Sequence, residues 1–122
     1  MISVLLIILY IMLAITLAFN GLGVVGLLRF PDVYTRLHAA TKCTTFGSIF
    51  LALAAMGYGL VLWYRSDYAD PYGLTLTIHT FLALIALLFT NPTGAHALAR
   101  ASHRSGIKPY GAVVDRLAEV KK

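Results

Sequence analysis

RFPDVYTRLHAATK, residues 29–42, is the first polar stretch of a chain whose preceding residues, 1–28, carry no charged side chain. Everything else can be parsed from it, because it ends one long apolar run and leads into a second. Pro31 has the fixed φ suited to a first helical residue, and Asp32 beside it complements the positive end of a helix dipole. RFPD therefore predicts a helix start. No glycine or proline follows until Gly47, so the second helix is expected to begin in the charged loop 29–42 and run on into lipid. Val33, Leu37 and Ala40 then share one face, and Arg36 falls four residues after Asp32, where an i,i+4 pair contributes about 0.3–0.5 kcal/mol. So small a term does not account for so dense a motif. The surplus polarity points to a docking and coupling element that meets another subunit or acidic lipid, built from Arg29, Pro31, Asp32, Arg36, His38 and Lys42.

Composition fits a membrane. With 59% hydrophobic residues, 12% charged residues and a mean hydropathy of +0.79, the chain cannot cover a water-facing surface. Its 122 residues leave room for one small helical unit and no separate soluble domain. Three uncharged stretches stand out: Met1 to Leu28, Cys43 to Tyr64, and Pro71 to Ala99. Each exceeds the roughly 20 residues needed to cross about 30 Å of hydrocarbon. The first has no basic segment ahead of it and is longer than the roughly 7–15 apolar residues of a signal peptide, so it reads as a retained helix. RSDYAD, residues 65–70, followed by Pro71 and Gly73, reads as a turn with a helix start at Pro71. Pro92 is expected to end the third span near Thr90 and to leave an interfacial segment behind it. The fold class is an all-α integral membrane protein with three transmembrane helices, spans about 1–28, 43–64 and 71–90. Residues 1–99 form the membrane domain and 100–122 a basic tail.

Charge orients the three spans. Arg29, Arg36 and Lys42 precede the second span, and Arg100, Arg104, Lys108, Arg116, Lys121 and Lys122 follow the third, so nine of the ten Lys and Arg residues share one side. The excess of basic residues marks the cytoplasm, which places the C-terminus on the inner side of the cell membrane and the N-terminus on the outer side. Trp63, Tyr64, Tyr68 and Tyr72 gather at the other end, where amphipathic rings prefer headgroups. The net charge of +5 belongs to this flanking pattern and not to nucleic-acid binding, since the basic residues do not interleave with aromatics on a soluble face.

Membrane helices associate through close packing of small residues. Thr41, Thr45, Ser48, Ala52, Ala55 and Gly59 form one narrow seam on the second helix, and Ser48, Ala52, Ala55 and Gly59 are expected to meet a neighbouring transmembrane helix. Ala14, Ala18 and Gly21 are the corresponding small face of the first helix. Thr75, His79, Ala83, Ala86 and Thr90 are that of the third. The glycines of NGLGVVG, residues 20–26, read as sites of close helix approach, because the rest of a nucleotide-binding fingerprint is missing.

Catalytic chemistry is scarce. All five acids lie outside the apolar spans, and no nucleophile–base pair or metal-ligand spacing appears. Cys43 alone makes neither a disulfide nor a thiolate cluster and reads as a small buried residue. No catalytic residue, cofactor or metal is expected. His79 is the one titratable group well inside an apolar run, a residue for a hydrated path or, more simply, for a hydrogen bond across a helix interface.

At these residues the sequence resembles a family. GLLRFPDVYTRLHAATKCTTFG, residues 26–47, is similar to the signature of the G subunit of multisubunit Na+/H+ antiporters of the Mrp type, the MnhG or PhaG family. NPTGAHALARA, residues 91–101, resembles the family segment after the third helix. The resemblance implies a small non-catalytic subunit that contributes to assembly and ion translocation beside small E, F and B-like subunits and larger complex I-like antiporter subunits. The same module occurs in archaeal membrane-bound hydrogenases and sulfur-reducing respiratory complexes, which adds hydrogenase-like subunits to the candidate partners. An unrelated membrane scaffold or regulator is the remaining alternative.

Overall fold

The structure, a computed structural model, describes residues 2–111. It consists of three helices in chain order: α1 at Ile2–Arg29, α2 at Val33–Arg65 and α3 at Tyr72–Arg104. All three are long and apolar enough to cross a membrane.

The helices form a row and not a closed bundle. Among the described residues α2 packs against α1 on one side and α3 on the other, while α1 and α3 do not meet. The residues of α2 explain this, because they supply two opposite packing lines. Ala39, Cys43, Gly47 and Gly57 recur at helical spacing and face Gly26, Gly23, Asn20 and Leu9 of α1, with Phe50 stacked on Phe19. On the far side, Thr45 faces Asn91, Met56 faces Thr77, and Gly59 lies against Gly73 and Thr77 of α3. The expected seam is thus split. Gly59 and the buried Ala52 are closed off within the chain, Gly59 by its own α3. Ala55 borders an apolar hollow shared with Leu9 and Leu13 of α1, and Ser48 is half-buried.

The outer helices turn opposite faces to α2 from those expected. Ala14, Ala18 and Gly21 are exposed, and a Cβ at Gly21 would have nothing within 4 Å. Leu9, Thr16, Gly23 and Gly26 are the buried residues of α1. Thr75, His79, Ala83, Ala86 and Thr90 are likewise all exposed, whereas Gly73, Thr77 and Asn91 meet α2. Small size alone does not choose a face. The chosen faces combine glycine with a side chain able to donate a hydrogen bond across the interface, which in lipid outweighs smoothness.

Two further expectations change. Helix α3 does not end near Thr90 but runs through Pro92 to Arg104. Proline removes one backbone donor without forbidding helix when neighbouring groups absorb the loss. At the start of α2, Pro31 precedes the helix and Asp32 is the N-cap, with extended backbone at φ −127° and ψ 164°. The link between α1 and α2 is therefore only Phe30–Asp32, and most of the segment read as a loop is helix.

The α2–α3 turn is built from positive-φ residues Asp67 and Tyr68. The Tyr68 amide donates to the Trp63 carbonyl at 3.1 Å, and the Asp70 carboxylate accepts from the Tyr72 amide at 3.0 Å. Tyr68 packs edge-on against Trp63 and Tyr64, with centroids 4.7 and 6.0 Å away. At 33 residues each, α2 and α3 are about 50 Å long, against a hydrocarbon thickness of about 30 Å. These rings mark one end of the α2–α3 hairpin, and the opposite end is where α2 begins and α3 stops. That end carries RFPDVYTRLHAATK.

Candidate functional site

Asp32 organises the polar end. One carboxylate oxygen accepts the Thr35 amide at 2.6 Å and also the Thr35 hydroxyl, which caps α2 in the manner expected of an N-cap aspartate. Its second oxygen accepts the Tyr110 amide at 2.8 Å. These bonds, first those from the Thr35 hydroxyl and amide and then that from Tyr110, hold the carboxyl below the ordinary carboxylate range, with a smaller contribution from the Arg36 charge. Asp32 is therefore ionised at neutral pH. Two residues on, the Tyr34 hydroxyl donates to the Ile107 carbonyl at 2.7 Å.

Arg36 bonds Asp32 only through the backbone, its amide donating to the Asp32 carbonyl at 3.1 Å, while its side chain turns elsewhere. Its Nε donates to the Phe30 carbonyl at 2.7 Å, closing the short link from α1. Arg29 ends α1, and His38 and Lys42 lie on the first turns of α2; all three are exposed, and their side chains make no hydrogen bond or ion pair with a described residue. Pro31 is exposed at the bend between the helices. The motif thus divides in two. Asp32, Tyr34, Thr35 and Arg36 hold the chain's own backbone, and Arg29, His38 and Lys42 point outward.

Further along the helices lie polar contacts that sequence patterning missed. The Thr16 hydroxyl of α1 donates to the Met12 carbonyl at 3.0 Å and reaches the Gly47 carbonyl of α2 at 3.3 Å. The Asn20 amide donates back to the Thr16 carbonyl at 3.0 Å and fills the space above Gly47. From the other side, the Asn91 amide of α3 donates to the Thr45 and Thr44 hydroxyls at 2.9 and 3.2 Å. Both flanking helices are thereby pinned to one turn of α2, residues 44–47. The available signal was a pair of asparagines inside apolar runs, each an expensive residue there unless it finds a partner.

His79 is exposed on α3, with its Nδ1 2.8 Å from the Thr75 carbonyl of its own helix. It does not bridge two helices of this chain. Cys43 is half-buried beside Gly23. No cluster of three or more His, Cys, Asp or Glu side chains suited to a metal occurs among the described residues.

A row of three apolar helices with its polar motif gathered at one end is the form of a small multi-pass membrane subunit. The chain belongs to the PhaG/MnhG/YufB family of Na+/H+ antiporter subunits, whose family model matches residues 12–103. That range includes both the RFPD motif and the NPTGAH segment. The chain is 53% identical over 110 residues to a UPF0091 protein of Pyrococcus horikoshii, covering 90% of this chain and 89% of that one. It is 35% identical to the G subunit of the Na+/H+ antiporter of Alkalihalophilus pseudofirmus, covering 70% of this chain and 64% of the relative. Among solved structures it resembles a chain of the membrane-bound sulfane sulfur reductase, an archaeal respiratory membrane complex. That match has a TM-score of 0.70 and 31% identity over 89% of this chain and 90% of the other.

Proposed function

We propose that the chain is a non-catalytic subunit of a multisubunit monovalent cation/proton antiporter module in the prokaryotic plasma membrane. In this reading it serves assembly and ion translocation beside small E, F and B-like subunits and larger complex I-like subunits. The observation that carries it is the family match across residues 12–103. A second setting, the same module within a redox-driven respiratory complex, is favoured by the structural likeness to the sulfane sulfur reductase. Purifying the native complex and identifying its subunits separates the two: iron–sulfur or hydrogenase-like chains place it in a respiratory complex, and antiporter subunits alone place it in a free-standing antiporter.

Within that assembly the outward side chains of Arg29, His38 and Lys42 dock a neighbouring subunit, and Pro31 and Arg36 set the angle at which they are presented. Charge reversal at Arg29 and Lys42 is expected to roughly halve the amount of intact complex, because it replaces attraction by repulsion at a charged contact. Ion transport should fall in proportion. Full assembly with an altered sodium dependence would instead move these residues into the ion path.

Orientation follows from the basic residues, with the C-terminus cytoplasmic. In a Cys43→Ala background, a cysteine introduced at Ser66 should react with an impermeant reagent from outside, and one at Ser105 only after permeabilisation. Reaction of Ser105→Cys in intact cells would reverse the assignment.

A further inference from the structure

The signature acid and tyrosine have a use inside the chain that docking does not require. After α3, Gly106 adopts φ +82° and the Ile107 amide donates to the Ser102 carbonyl at 3.1 Å, a helix stop that turns the backbone sharply off the α3 axis. Residues 107–110 then cross to the start of α2. There the Tyr34 hydroxyl meets the Ile107 carbonyl, and Asp32 meets the Tyr110 amide. Gly111, at φ +73°, turns the chain again. The crossing segment is thus bounded by two left-handed glycines and held by two bonds from residues 73 and 78 positions earlier in the chain.

We propose that residues 107–110 form a latch across the first turn of α2, with Asp32 and Tyr34 as its positioning residues. The latch fixes the spacing of the α2 and α3 ends. Asp32 suits this double task because a carboxylate has two oxygens, one for the helix cap and one for the latch, and accepts only. Asparagine would keep an acceptor for Thr35 but could turn an NH2 group toward the Tyr110 amide, donor against donor. Tyrosine at position 34 reaches past the first turn to a carbonyl, which a phenylalanine would leave unbonded. The latch holds whichever complex the chain joins, since all its parts lie in this chain.

Hydrogen exchange on the full chain in its native, detergent-solubilised complex tests it. The Tyr110 amide should be protected in the wild type, and Asp32→Ser should speed its exchange about tenfold, in line with loss of a bond to a charged acceptor. Serine still caps a helix, so the Thr35 amide should stay protected in the same variant. Tyr34→Phe leaves Asp32 and the cap untouched, and should speed Tyr110 exchange several-fold even if Asp32→Ser fails to assemble. Exchange of Tyr110 at the rate of an unstructured peptide in the wild type, or an unchanged rate in Tyr34→Phe, would overturn the latch.

Discussion

Replacing Gly73 by alanine is expected to remove most of the chain from the assembled complex. A Cβ there would press directly on the Gly59 carbonyl and come within 2.6 Å of the Trp63 amide nitrogen, and both are backbone. Neither can swing aside, so α2 and α3 must separate where Gly59 and Gly73 meet. Overpacking of this kind costs about 1–3 kcal/mol where side chains yield, and the upper end or more is expected where backbone must move. Gly59→Ala, whose Cβ would lie 2.7 Å from the Gly73 carbonyl and 2.5 Å from the Thr77 hydroxyl, should act in the same direction. Gly21→Ala is the control, because nothing lies within 4 Å of its Cβ position. Quantifying the chain in membranes and in the purified complex gives the comparison. Retention of Gly73→Ala at the level of Gly21→Ala would mean that α2 and α3 do not cross at these glycines.

The second large effect is expected at Asn91. Asn91→Leu removes the donor shared by Thr44 and Thr45 and sets a branched side chain against them. Interhelical hydrogen bonds between membrane helices average about 0.6 kcal/mol and reach about 1.7. Added to the steric misfit, this should destabilise the α2–α3 pair by about 1–2 kcal/mol. Thermal unfolding of the purified complex measures the loss. The attribution is checked by combination with Thr45→Val, which deletes the same contact from the other side. If the asparagine acts through Thr45, the two losses should add to less than their sum. Full additivity would assign the Asn91 effect elsewhere.

Much of this architecture could be read along the chain. The three apolar runs, the turn at RSDYAD and the helix start at RFPD follow from hydropathy, breakers and capping chemistry, which act within a few residues of themselves. Family membership was legible for a related reason, because a long polar signature inside an apolar chain is specific. Helix ends were less secure. Pro92 reads as a stop from local stereochemistry, yet α3 continues past it to Arg104, since the cost of one lost donor is small against the turns on either side.

Which faces meet was a different matter. Spacing showed that α2 had a small-residue seam, and Gly59 does lie in a helix contact. Spacing also favoured Ala14, Ala18 and Gly21 on α1 and the Thr75 to Thr90 stripe on α3, and the residues of both are exposed, Thr90 alone bordering a groove shared with α2. In water a hydrophobic stripe identifies the buried face because solvent penalises its exposure. In lipid every face of these helices is apolar, so that penalty vanishes and the choice passes to pairwise fit. Gly23 beside Cys43, Gly73 beside Gly59, and Asn91 beside Thr45 are properties of two helices together.

The sequence by itself therefore determined the number of long apolar helices, their ends to within a turn at four of six places, and the family. Each depends on the chain's interaction with its surroundings or with near neighbours in sequence. Only the tertiary structure decided that the helices form a row centred on α2, that Thr16 and Asn91 pin the two flanks to residues 44–47, and that Asp32 and Tyr34 reach residues 107–110. The bonds among them join groups 31 to 78 residues apart. No local preference encodes them, because their energy appears only when both partners are already in place.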